Sequence, residues 1–250
     1  MLRRISIHDY GSNPLKSTSR LVLARILLWG CVRRIFFLAF SVALKYKTYL
    51  IFGAPGSGKG TQGKILGTVP RFFHCACGEV FRSIDTRTQI GRAFLDYSSR
   101  GQLVPDEITV ELWRVRIQAN VDAHVFKPDI DHLVLDGIPR NEKQAELLEP
   151  FIDVRKVFHL SCPNRDKLVE RLKKRALKDN RLDDANEAVI RKRLEIYEHE
   201  SKPLLARYGE EKTVTIDATE PPVVVLSTIL DHIVAGHDES FALNEQADAA

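Results

Sequence analysis

Tyr49-Leu50-Ile51-Phe52, running without a break into Gly53-Ala54-Pro55-Gly56-Ser57-Gly58-Lys59-Gly60-Thr61-Gln62, decides the fold. The first four residues are apolar, β-branched or aromatic with no polar alternation, the pattern of a strand buried on both faces of a parallel sheet. After the glycines the chain reads as helical through Leu66. Strand, Gly-rich loop and helix in that order are what a phosphate-binding loop requires. Glycine lets the backbone wrap with its N–H groups turned inward, and the helix N-terminus adds partial positive charge. Lys59 then supplies a point charge for the β- and γ-phosphates. The general pattern places Ser or Thr directly after the Lys; here Gly60 intervenes and Thr61 follows.

The chain has 250 residues, 44% of them hydrophobic, enough for one large domain with small inserted lobes. Its formal net charge of +4 is unevenly spread. Residues 1–48 hold nine Lys and Arg against the single acid Asp9, so of 37 basic and 33 acidic residues the remainder keeps 28 and 32, a net −4. A mildly acidic body argues against a nucleic-acid binder, and any basic patch within it needs a local cause such as nucleotide phosphates. The four cysteines, Cys31, Cys75, Cys77 and Cys162, are too few for a disulfide scaffold and lack the C-x-x-C spacing of a structural zinc site. They read as reduced thiols of a cytoplasmic protein. Cys75 and Cys77, one residue apart, would share a core face if both lie on a strand.

Residues 1–47 form a separate basic and apolar extension. The runs LLWGCV and IFFLAFSVAL are interrupted by Arg33 and Arg34 and are too short to span a bilayer alone. Three readings stand: a signal or anchor segment, an Arg-rich transit peptide, or an upstream stretch ahead of a non-AUG start near Val42 or Leu44, since Met1 is the only methionine. Contact with a membrane follows only if the extension is real. Residues 236–250 read as a disordered acidic tail.

The string GAPGSGKGTQ resembles the nucleotide-binding loop of adenylate kinases and their UMP/CMP kinase relatives, and the resemblance continues in order over about residues 48–235. Cys75 to Arg82 is similar to the family segment STGD-x-x-R, Gly101-Gln102-Leu103-Val104-Pro105-Asp106-Glu107 to G-x-LVPDE, and Asp136-Gly137-Ile138-Pro139-Arg140 with Gln144 to DGFPR-x-x-x-Q. Arg171, Arg175, Arg181-Leu182-Asp183-Asp184 and Arg193 resemble the short lid of the family, with one extra residue between Arg181 and Arg193. The resemblance implies an ATP site at Gly53, Ala54, Pro55, Gly56, Ser57, Gly58, Lys59, Gly60, Thr61, Arg171 and Arg175. It implies an AMP site at Cys77, Arg82, Gln102, Val104, Gly137, Arg140, Gln144, Arg181 and Arg193. Arg82 and Arg140 would hold the acceptor phosphate and Gln144 would read the adenine edge. Lys59, Arg140, Arg175, Arg181 and Arg193 would be catalytic, and Asp136 would hold Mg2+ through water, with no zinc. Taken alone, the run KKRALKDNR reads as a solvated helix face, and Asp136-Gly137 as a turn.

Strands are expected at about 49–52, 71–75, 131–135, 154–159 and 213–217. They give an α/β P-loop nucleotide kinase fold: a five-stranded parallel sheet with helices on both faces, an acceptor-binding lobe near 78–107 and a short lid near 172–182 in a kinase domain of 48–235. The function implied is reversible transfer of the γ-phosphoryl of ATP to AMP by a monomer. Two alternatives stay open. A UMP/CMP kinase is suggested by Asn141 and by Cys77 where the family has Thr, while Gln144 argues for adenine. A non-catalytic, membrane-associated nucleotide-binding module is suggested by the N-terminus.

Overall fold

Alternating burial along the strands divides the core into two halves. A computed structural model describes residues 45–179, 184 and 186–236. The extension assigned to 1–47, apart from its last three residues, and the tail assigned to 236–250, apart from Gly236, lie outside the described residues. In chain order the elements are β1 (Tyr46–Gly53), α1 (Lys59–Leu66), β2 (Phe72–Ala76), α2 (Cys77–Arg82), α3 (Gln89–Ser99), α4 (Asp106–Asp122), β3 (His132–Asp136) and α5 (Glu142–Leu148). There follow β4 (Ile152–Ser161), α6 (Arg165–Asp179), α7 (Glu187–Ile196) with a π-helical continuation (Tyr197–Ser201), α8 (Leu204–Tyr208), β5 (Thr213–Asp217) and α9 (Pro222–Ala235).

The strands pair in the order β2-β3-β1-β4-β5, every pair parallel. Parallel pairing demands crossovers, and the crossovers cover both faces with helices. On one face Tyr49 and Ile51 of β1, Val134 of β3 and Phe158 and Leu160 of β4 pack with residues of α6, α7 and α9. On the other, Leu50 and Phe52, Leu133 and Leu135, and Val157 pack with α4 and α5. Leu50, Leu133, Leu135 and Phe158 are fully buried, and each such side chain contributes about 1.5–3 kcal/mol through removal from water.

The five expected strands are present. β1 begins earlier than its apolar run because Tyr46, Lys47 and Thr48 pair with Ile152, Asp153 and Val154, after which the register shifts at Thr48/Tyr49. Thr48 is fully buried there, its hydroxyl donating to the Tyr46 carbonyl at 2.7 Å. Cys75 and Cys77 do not share a strand face: β2 ends at Ala76, and Cys77 opens α2. Both thiols nevertheless enter the same apolar cluster. Gly53, Ala76 and Asp136 are the last residues of β1, β2 and β3, so the segments carrying the motifs all leave the sheet at its carboxyl edge, where open α/β sheets bind ligands.

Candidate active site

A cavity of about 400 Å³ is lined by residues from the loops that follow β1, β2 and β3 and by the inner faces of α6 and α7. Its floor is the Gly-rich loop. Gly53 turns the chain out of β1 at φ 150°, where an added Cβ would lie 2.5 Å from the Ser57 hydroxyl and 2.7 Å from the Leu160 carbonyl oxygen. No side chain fits. Gly58, left-handed at φ 100°, then caps α1, a conformation glycine adopts without steric cost.

Lys59 is the first residue of α1, and its ammonium folds back to donate to the carbonyls of Gly53 at 2.7 Å and Ala54 at 3.1 Å. Burial pulls its pKa from 10.5 to about 8; Asp136 opposes the shift, while Arg140, Arg175 and Arg193 add to it. Four cations therefore feel one another across this cavity. Gly53, Pro55, Gly56, Gly58, Gly60 and Thr61 line it with Lys59. Ala54 packs into the core and the Ser57 side chain is buried, so these two can meet a ligand only through their backbone.

Asp136, at the end of β3, comes within 3.4 Å of a Cβ position at Gly60, so its carboxylate stands at the mouth of α1. Gly137 and Arg140 follow it into the cavity wall, together with Cys77, Arg82, Gln102, Val104 and Gln144. The Arg140 Nε donates to the Gly137 carbonyl at 2.9 Å. Burial pushes the Cys77 thiol up to about 11, against the pull of Arg140 and Arg82, so it stays a neutral, weak donor. Gln144 is 1% exposed: its Oε1 accepts from the Arg140 N–H at 2.9 Å, and its Nε2 donates to Asp106 at 2.8 Å. Asn141 caps α5, its Oδ1 accepting from the Gln144 N–H at 2.9 Å, and its Nδ2 also donates to Asp106. Its side chain is committed to the scaffold.

The opposite wall carries Arg171, Arg175 and Arg193. Arg171 donates to the Ala218 carbonyl at 2.9 Å. Arg175 and Arg193 converge on Asp184, which is fully buried, at 2.6 and 2.5 Å. The solvated-face reading does not hold for these two arginines, whose side chains are only 30% and 22% exposed. Arg181 lies outside the described residues. Several residues in or behind the cavity wall carried no role in the sequence reading: Asp106 and Asp184, which hold lining residues from behind, were visible only as members of motifs, and the lining residues Thr109, Tyr197 and Ser201 gave no signal. Tyr197 and Ser201 reach the cavity from the π-helical turn, and the Ser201 hydroxyl donates to the Arg140 carbonyl at 2.7 Å.

Among the described residues no group of three or more His, Cys, Asp or Glu is placed to hold a metal, and no helix is long and apolar enough to cross a membrane. A single carboxylate beside a phosphate loop does fit Mg2+, which commonly takes one or two carboxylates with the rest of its shell from phosphates and water.

The family model described as adenylate kinase matches residues 51–213. The chain is 37% identical over 193 residues to the adenylate kinase of Cyanothece sp., covering 74% of this chain and 93% of that one. It is 39% identical over 162 residues to that of Porphyromonas gingivalis, covering 62% and 79%, and 37% over 169 residues to that of Bacteroides thetaiotaomicron, covering 65% and 85%. The loop after β1, the Asp-Gly turn after β3 and the arginines of α6 and α7 meet at one cavity, and on the match of the family model and of these relatives the chain belongs to the adenylate kinase family.

Proposed function

We infer that the chain moves the γ-phosphoryl of ATP onto AMP, reversibly, giving two ADP. The observation that carries this reading is the convergence of Lys59, Arg140, Arg175 and Arg193 on one cavity that Asp136 also lines. Phosphoryl transfer leaves little covalent work to the protein. The acceptor is already an oxyanion, and catalysis is in-line positioning plus neutralisation of charge on the moving group. In this reading the loop N–H groups and Lys59 hold the ATP phosphates, and Arg171 stacks on the ATP base. Arg82 and Arg140 hold the AMP phosphate, with Cys77, Gln102, Val104, Gly137 and Gln144 around its nucleoside. Arg175, Arg193 and the undescribed Arg181 surround the transferring group. Members of the family generally use Mg2+ with ATP; Asp136 would hold it through water, where it would spread the charge of the β- and γ-phosphates. Closure of the lobe near 78–107 and the lid near 172–182 would keep water from competing with AMP. One chain supplies every group used, so the reading is of a monomer. The free, buried thiols Cys75, Cys77 and Cys162 suit a reducing compartment such as the cytoplasm.

Acceptor choice rests on Gln144. Adenine presents a donor and an acceptor side by side along N6 and N1, and the Gln144 amide offers the complement; a site built on such bonds rejects a base that leaves them unpaired. The test is formation of diphosphate from AMP, CMP, UMP and GMP at matched ATP, with AMP expected to have the highest kcat/KM. Gln144→Ala should lower the AMP preference by about tenfold while leaving the ATP KM unchanged. A wild-type enzyme faster on CMP or UMP would make it a pyrimidine nucleotide kinase. Asn141, which had suggested that alternative, is occupied as a cap.

Lys59 gives the site a pH dependence. Phosphate prefers the charged ammonium, which the free protein holds fully below a pKa of about 8 and loses above it. Above that point ATP must bind with uptake of a proton, so its Kd should rise with pH, by severalfold in all. Lys59→Arg, whose guanidinium does not titrate in this range, should flatten the rise. Calorimetric Kd values between about pH 7 and 9.5 check this, and an equal slope in both proteins would remove Lys59 as its source.

A further inference from the structure

We propose that Asp106 is the positioning residue for base selection: it fixes the orientation of the Gln144 amide and so decides which hydrogen-bond pattern the acceptor base meets. The inference deepens the AMP reading and rests on it.

Asp106 opens α4, whereas Gln144 and Asn141 belong to the start of α5, more than thirty residues further along the chain. One carboxylate oxygen of Asp106 receives both amides, Gln144 Nε2 at 2.8 Å and Asn141 Nδ2 at 3.0 Å. The other end of the Gln144 amide accepts from the Arg140 N–H at 2.9 Å. Those two neighbours have opposite and fixed character, since a backbone N–H can only donate and a carboxylate can only accept. A reversed amide would set N–H against N–H and oxygen against carboxylate, and both contacts would repel. Asp106 and Arg140 together therefore allow one orientation. What remains free on Gln144 is one N–H on the Nε2 side and one lone pair on Oε1, and Gln144 lines the cavity. One helical turn beyond Asp106, buried Thr109 also lines the cavity and donates to the Val104 carbonyl at 3.3 Å. The first turn of α4 thus braces two parts of the proposed acceptor site. Without Asp106 the amide could rotate and offer either face, and a base with the opposite edge would be accepted nearly as well.

The test compares wild type, Asp106→Ser, Asp106→Asn, Gln144→Ala and the Asp106→Ser/Gln144→Ala double variant in steady-state assays with AMP, CMP and UMP. Ser suits the first turn of a helix and keeps a polar group there, but its hydroxyl is one bond shorter than the carboxylate; thermal unfolding verifies that each protein is folded. For Asp106→Ser the KM for AMP should rise by about tenfold and the AMP preference should fall to match, as for loss of a charge-assisted hydrogen bond. The KM for ATP and kcat at saturating AMP should stay within about twofold of wild type. Asp106→Asn, whose carbonyl can still accept, should regain most of the AMP KM, and Asp106→Ser should add nothing in the Gln144→Ala background. The proposal is overturned if Asp106→Ser leaves the KM for AMP near wild type. It is equally overturned if Asp106→Asn is as impaired as the Ser variant, which would make charge at the helix start the cause, or if the two losses add. A wild-type protein that prefers CMP or UMP overturns the AMP reading itself, and the Asp106 proposal with it.

Discussion

Replacing Lys59 with Ala is expected to lower kcat by about 10²–10³-fold, the loss typical of removing one preorganised electrostatic stabiliser. In the free protein the ammonium is bonded to the Gly53 and Ala54 carbonyls, with its pKa depressed to about 8 by burial. In the proposed function, binding ATP would exchange those carbonyls for phosphate oxygens, so much of the ground-state gain would be cancelled by the bonds given up. The full value of the cation is realised only as charge migrates toward the bridging oxygen. The KM for ATP should therefore rise much less than kcat falls. Steady-state kinetics and a directly measured ATP Kd separate the two, and near-normal turnover would remove the loop from the chemistry.

Asp184→Ala is expected to produce the other large effect. The carboxylate is fully buried between Arg175 and Arg193, and both arginines also act electrostatically on Lys59. Removing it leaves those cations facing one another with no counter-charge. Loss of one member of a buried ion pair costs about 3–5 kcal/mol, and the partial exposure of both guanidinium groups puts this case at the lower end, near 3 kcal/mol. The variant should be less stable in denaturant titration by about that amount. A triphosphate supplies negative charge in the same place, so saturating ATP should raise its melting temperature by more than it raises that of wild type. The kcat should fall by about tenfold or more, because Arg175 and Arg193 lose the anchor that aims them. If ATP stabilised both proteins equally, Asp184 would not be sharing its arginines with the nucleotide.

The parts legible in the sequence were those where a local pattern and a physical requirement coincide. The apolar run 49–52, the glycines after it and Lys59 define a strand, a loop and a helix start without any tertiary information. His132 to Leu135 ahead of Asp136 did the same for β3. Lys47 and Thr48 concealed the start of β1, since the polar pair joins the strand through its pairing with Asp153 and Val154 of β4, which no local pattern announces. The second cysteine misled for a similar reason: a spacing of two reads as one face only if the strand continues, and β2 stops between the two. The contacts that brace the cavity were invisible because they join residues far apart in the chain, such as Asp106 with Gln144 and Ser201 with Arg140. No periodicity encodes such pairs.

The π-helical turn after α7 sets the phase of that helix. Lys202 donates its N–H to the Tyr197 carbonyl, five residues back, at 2.8 Å, which lodges one residue more in this turn than α-helical winding would hold. Each residue of an α-helix advances the side-chain direction by about 100°, so the extra one offsets everything beyond it by roughly that angle from everything before. Arg193, before the turn, faces Asp184, and Ser201, its last residue, faces the Arg140 carbonyl. A rod of uniform pitch could aim only one of them correctly. The irregular turn lets a single helix supply both contacts, one to Asp184 and one to the Arg140 carbonyl.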